Sequence, residues 1–189
     1  MPSQSTTRLA HRGPISLPAE TYLKRISNIK RLIEKASTMK SLEQRIQTLE
    51  DRQALQERVS SYLIALDDTV DLEQLLSHFT EDAVFDMTAL EYPIFEGMAA
   101  LRELFAGAFA SMSHSAHYAT NFKIDSLDQD TAAARTHVIG MGVPAAAASA
   151  PESKGSESVL FYVQYHLEFA RINDSWKISS LRGQPLMPS

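Results

Sequence analysis

The feature that most constrains this chain is its order: helical patterns come first, and from residue 116 almost everything reads as strand. Strands are predicted at 116–125, 131–142, 158–171 and 175–182. Asp128-Gln129-Asp130 and Asn173-Asp174 are the turn signals between them. In 158–169 the residues alternate: Phe161, Val163, Tyr165, Leu167 and Phe169 on one face, Tyr162, Gln164, His166 and Glu168 on the other. Strands with one greasy face need a cover, and the preceding helices supply it. The expected fold class is α+β, a curved antiparallel sheet with about three helices on one face. Such a sheet can close around a small apolar cavity.

The helices are read from spacing. Residues 1–17 read as a disordered tail, and 18–48 as a helical extension with Pro18 in its first turn. Ile26, Ile29, Ile33 and Ala36 form one apolar stripe, and Met39, Leu42, Ile46 and Leu49 continue it. Ser41 with Gln44 is a capping-box pattern. The stripe could pack on the body or on a second copy, so a homo-oligomer, a dimer, is expected. The main domain is placed at 49–189. Its first helix runs through Leu55, Val59, Tyr62, Leu63 and Leu66; a short one, opened by Asp71 and Gln74, runs through Leu75, Leu76 and Phe79; a third spans 98–112. Residues 83–87 read as a strand, 91–97 as a loop with room for a short strand, and 143–157, small and polar with two prolines, as a long mobile hairpin loop.

Composition narrows the function. The chain has 189 residues, 44% of them apolar, so a globular body is expected. Cysteine is absent, which excludes disulfides and thiolate metal sites. No apolar run is long enough to span a bilayer. The net charge is −5, yet residues 1–40 carry eight Lys/Arg against two Glu. A basic arm of this kind can touch nucleic acid or anionic lipid. No aromatic residues alternate with the cations, so the reading taken is a solvated helix face, with no nucleic acid and no membrane as partner. With no hydrophobic signal core, a cytoplasmic location is expected, although Arg8, Arg12 and the acid-free 1–17 weakly resemble an organelle transit segment. No phosphate-binding loop or nucleophile elbow is present, so no cofactor is expected.

The chemistry-bearing residues are Tyr62, Asp67 and His117. A phenol, a carboxylate and an imidazole can move a proton on or off a carbon beside a carbonyl. His117 is the expected base, with Asp67 orienting its ring. Residues five apart on a helix point about 140° away from each other. Tyr62 and Asp67 can therefore serve one cavity only if the helix stops near Asp67, which Asp68 and Asp71 make reasonable. Asn121 shares the His117 face by strand alternation and could donate to an oxyanion; Asp86 could reach the pocket. If the apolar face of 158–169 lines the cavity, His166 lies outside; if not, Tyr162 and His166 enter it. His114 and His117 lie three apart on a strand with no third ligand evident, so no metal site is expected.

With these residues in hand, roughly 49–183 resembles the SnoaL-like branch of the nuclear-transport-factor-2-like superfamily. The resemblance rests on Tyr62 and Asp67, the Phe79–Asp86 segment, Gly97 before the third helix, the His117–Asn121 strand start and a final strand pair near Trp176-Lys177-Ile178. It implies a cone-shaped cavity. Dehydratase-type members use a Tyr and an Asp five apart, matched by Tyr62 and Asp67, and a strand His, matched by His117. Their further His or Asp falls near Gly140–Gly142, where this chain has no counterpart; Arg135-Thr136-His137 departs from the Arg-x-Asp of epoxide hydrolases. The implied activity is a cofactor-free lyase or isomerase, a dehydratase or cyclase, acting on a hydrophobic polyketide- or terpenoid-like molecule. The alternatives are a non-catalytic ligand-binding or assembly module, or the small subunit of a ring-hydroxylating oxygenase.

Overall fold

The computed structural model describes residues 18–38, 41–68, 71–145 and 158–187. The expected tail at 1–17, Met39 and most of the expected loop at 143–157 lie outside the described residues. The chain divides into two compact units, 1–47 and 48–189. The first holds helix α1 (Ala19–Thr38) and the start of α2 (Leu42–Asp68). Ser41 and Gln44 cap α2 reciprocally: Gln44 N donates to Ser41 Oγ at 3.2 Å, and Ser41 N donates to Gln44 Oε1 at 2.9 Å.

The second unit follows as α3 (Leu72–Leu76), β1 (Phe79–Asp86), a 3₁₀ turn (Thr88–Leu90), β2 (Ile94–Glu96), α4 (Gly97–Ser111), β3 (Met112–Leu127), β4 (Thr131–Pro144), β5 (Val159–Ile172) and β6 (Ser175–Pro185). The six strands form one open sheet in the order β2-β1-β6-β5-β4-β3. It is mixed rather than antiparallel, because β1 runs parallel to β6. Phe79, expected in a helix, belongs to β1: it pairs with Ile178, whose N–H donates to the His78 carbonyl at 2.9 Å. Gly97 opens α4 at φ +79°, a conformation that glycine adopts without Cβ strain.

Leu55, Val59, Tyr62 and Leu63 repeat along one side of α2 and are all buried. They meet Leu75 and Leu76, Leu101 and Phe105 of α4, and the inward row of β5, Val163, Tyr165, Leu167 and Phe169. An aromatic chain runs through this core: Tyr62 edge-on to Phe79 at 5.3 Å, Phe79 to Phe105 at 5.8 Å, and Phe105 edge-on to Phe85 at 5.5 Å.

Arg58 joins α2 to the sheet, its Nη1 donating to His78 Nδ1 at 2.8 Å and its Nη2 to Ser175 Oγ at 3.1 Å. A ring that accepts at Nδ1 from a guanidinium is neutral and carries its proton on Nε2. Burial, and then the charges of Arg58 and Lys177, push His78 down to about 4. The unfolded chain binds this proton near pH 6.5 and the folded chain does not until about 4. Stability is therefore expected to be full above about pH 6.5 and to fall as pH drops through this window. Urea unfolding at pH 7.5 and pH 5 checks this, and His78→Gln should flatten the difference.

Candidate active site

Helix α2 ends at Asp68, so Asp67 lies in its last turn and turns toward β3. The carboxylate grips His117 twice: the His117 backbone N–H donates to Asp67 Oδ2 at 2.8 Å, and Nδ1 lies 2.5 Å from Oδ1. Both side chains are largely withdrawn from solvent, 9% exposed for His117 and 22% for Asp67. An acceptor-only carboxylate fixes the proton on Nδ1, leaving Nε2 as the basic nitrogen. His117 lines a cavity of about 460 Å³, whereas Asp67 stands behind it, off the wall.

The cavity lies between α2, α4 and the inner face of the sheet. Phe85, Phe95, Leu104, Phe105, Phe109 and Phe161 supply much of an apolar wall. Its polar groups are Tyr62, Tyr165, Ser115 and His117, with Tyr92 and Tyr162 also lining it. None of the described lining residues carries a fixed charge. The Tyr62 hydroxyl is fully buried and has no hydrogen-bond partner among the described residues. Burial raises its pKa well above the usual phenol range, helped by Tyr165 and Asp67. Burial and then Asp67 raise Tyr165 likewise. Both phenols therefore stay protonated and are able to donate.

The pairing places Gly140 opposite His117 and Gly142 opposite Ser115. The neighbouring strand thus offers His117 no acid or second imidazole. Its place is taken by Phe161: a Cβ on Gly140 would lie 1.9 Å from the Phe161 ring, which sits 5.7 Å from the imidazole. Glycine here lets an aromatic ring form the wall beside the base.

Of the residues expected at the site, Tyr62, Asp67 and His117 come together and Tyr162 lines the cavity. Asn121 does not. It adopts a left-handed φ of 57° where the β3–β4 register shifts, and the bulge turns it outward. There its Nδ2 lies 3.2 Å from His137 Nδ1. Gln164 bridges onward, 3.1 Å from His137 Nε2 and 3.1 Å from His166 Nε2. His166 is thus on the outer sheet face and does not enter the pocket. Asp86 also stays out: its Oδ1 accepts from Thr88 N and Oγ1 at 2.9 and 2.6 Å, bonds that hold its carboxyl below the usual range. Phe85 and Met87 line the cavity on either side of it. Exposed His114 lies 3.3 Å from Ser113 Oγ, and among the described residues no cluster of three His, Asp or Glu could hold a metal. Tyr165 and Ser115 were not anticipated. The signal for Tyr165 is a hydroxyl-bearing residue within the apolar row of β5.

An open sheet with helices on one face, a Tyr and an Asp from α2 and a His from the strand after α4 define the SnoaL-like class of the nuclear-transport-factor-2-like superfamily. The model of the SnoaL-like domain matches residues 47–182, and the chain belongs to that family. No curated protein matches the sequence. Among solved structures, a "putative aromatic ring hydroxylase" from Novosphingobium aromaticivorans is similar at 38% identity, covering 74% of this chain and 92% of that one, with TM-score 0.66. A "putative scytalone dehydratase" from the same organism has 20% identity, 74% and 87% coverage and TM-score 0.63. A hexachlorocyclohexane dehydrochlorinase has 22% identity, 75% and 89% coverage and TM-score 0.62. The last two show the likeness of fold. No described helix is long and apolar enough to cross a membrane.

Proposed function

We infer that the protein is a lyase or isomerase that removes a proton beside a carbonyl of a neutral, hydrophobic molecule such as a polyketide or terpenoid intermediate. The observation that carries this is the 2.5 Å Asp67–His117 pair, with His117 in the wall of an apolar 460 Å³ cavity and Asp67 behind it. His117 Nε2 takes the α-proton, and the C–H electrons become the enolate, its charge on the former carbonyl oxygen. Tyr62 and Tyr165 donate to that oxygen, while Asn121 is held away from it by His137. The imidazolium is stabilised by Asp67, which acts through His117 and is a positioning residue. Return of the proton to a β-hydroxyl as it leaves gives dehydration; attack of the enolate carbon on a second carbonyl opens its π bond to an alkoxide, which takes the proton back from the imidazolium, and gives cyclisation. Enclosure strengthens each of these electrostatic terms. That scytalone dehydratase and dehydrochlorinase are names attached to proteins of this fold supports elimination chemistry.

Asp67→Asn keeps the shape but can present its amide to Nδ1 and favour the wrong tautomer. It is expected to lower kcat by roughly 10²-fold with little change in KM. Product formation in extracts of cells that make the natural metabolite measures this; an unchanged rate would remove the pair from the reaction.

A second reading follows from the 38%-identical relative named for aromatic ring hydroxylation. In it the chain is the small subunit of a ring-hydroxylating oxygenase and co-purifies with a large metal-bearing chain, with Asp67→Asn leaving that assembly's activity intact.

A further inference from the structure

Helix α1 lies outside the family match at 47–182 and within the first of the two compact units. Tyr22, Ile26, Ile29 and Ile33 run down one side of it at spacings of four and three. At 3.6 residues per turn, Leu23 and Leu32 fall on the two flanks of that stripe, widening it to about half the circumference. All of these except Ile26 are exposed, from 55% at Ile29 to 65% at Leu23 and Leu32. Arg25 and Lys30 sit at the two margins of the apolar face, and Lys24, Arg31 and Lys35 on the side away from it. A solvated face fits the cations but leaves five exposed apolar side chains unaccounted for. An isolated helix of this length is marginal in water, so such a face needs a partner.

Charge decides which partner. In a coiled coil of two copies, Arg25 and Lys30 would occupy the positions flanking the seam, and a parallel pairing brings these like charges together. Leu23 and Leu32 also spread the apolar surface beyond the narrow seam that a coiled coil buries. A nucleic acid would answer the cations and leave the apolar face in water. A sheet of anionic lipid headgroups over acyl chains answers both, with the marginal Arg25 and Lys30 reaching up to phosphates while the aliphatic side chains sink below them.

We propose that α1 lies in the plane of an anionic bilayer surface, apolar face down, and tethers the SnoaL-like domain there. The tether would hold the cavity close to the phase in which apolar molecules accumulate, and it is independent of which reaction the cavity performs.

The test is co-sedimentation of the full-length protein with phosphatidylcholine vesicles, with and without phosphatidylglycerol, at low and high salt. Binding is expected to the anionic vesicles only and to weaken with salt. Arg25→Glu with Lys30→Glu should lower the partition coefficient by more than tenfold, at about fivefold per basic charge lost. Ile29→Asp with Ile33→Asp should abolish binding while the melting temperature of the body is unchanged. Equal partition onto neutral and anionic vesicles, or no binding to either, would overturn the proposal. So would anionic binding that survives Ile29→Asp with Ile33→Asp, or a dimer-to-monomer change in these variants without vesicle binding in the parent, which would assign the face to a second copy.

Discussion

His117→Ala is expected to reduce kcat by about 10²–10⁴-fold, the range that a positioned general base contributes. The substitution removes the only imidazole among the described lining residues and leaves the aromatic wall in place. KM should change little, because the hydrophobic contacts that hold the substrate do not depend on the ring. Adding Asp67→Asn to His117→Ala should cost nothing further, since the carboxylate acts through the imidazole; two groups working as a unit give non-additive losses. Mass-spectrometric product rates for the two single variants and the double variant check this, with melting temperatures confirming that all three are folded.

The largest loss of stability is expected from Asp51→Ala. Asp51 Oδ1 accepts from Arg171 Nη2 at 2.6 Å and from Trp176 Nε1 at 3.2 Å. The Arg171 guanidinium lies 4.1 Å over the Trp176 ring, and its Nε donates to the Gln129 carbonyl at 2.8 Å. This cluster ties α2 to the β3–β4 turn and to both strands of the last hairpin. The Arg171 and Asp51 side chains are 17% and 10% exposed, so solvent screens the pair little. Removing one partner strands a buried charge, at a cost of about 3–5 kcal/mol. For a body of this size that is a fall in melting temperature of roughly 6–20 °C. Arg171→Met placed on Asp51→Ala should recover part of the loss. Thermal melts of the three proteins measure it. None of these residues lines the cavity, so catalysis at low temperature should persist.

The alternation in 158–169 is legible because burial on one face forces it, and the structure buries the row of Val163, Tyr165, Leu167 and Phe169. The opposition of His117 to Gly140 is set by the β3–β4 register and its shifts, and the family resemblance rather than the period of two points to Gly140–Gly142. Where the period breaks, the reading fails. Alternation puts Asn121 on the His117 face, but the bulge after Thr120 turns it to the outer face. Asp86 was allowed into the pocket because the parity of a short edge segment is weakly marked, and local bonds to Thr88 hold it outside. The parallel β1–β6 pair was not legible, since nothing local in Phe79–Asp86 encodes a partner about a hundred residues away. The Asp67–His117 contact was readable as a pair of residue types, but its geometry depended on where α2 stops. The alternation does not single out Tyr165, because it sits in the apolar row as an aromatic whose ring alone satisfies the pattern.

The most direct test follows α-proton exchange in D₂O on neutral bicyclic ketones, 2-tetralone among them, by proton NMR, with saturation transfer first establishing which ketones occupy the cavity. For a bound ketone, the wild-type protein is expected to exchange the α-protons on the order of 100-fold faster than His117→Ala. Equal exchange by the two proteins on a ketone that both bind would contradict the assignment of His117 as the base.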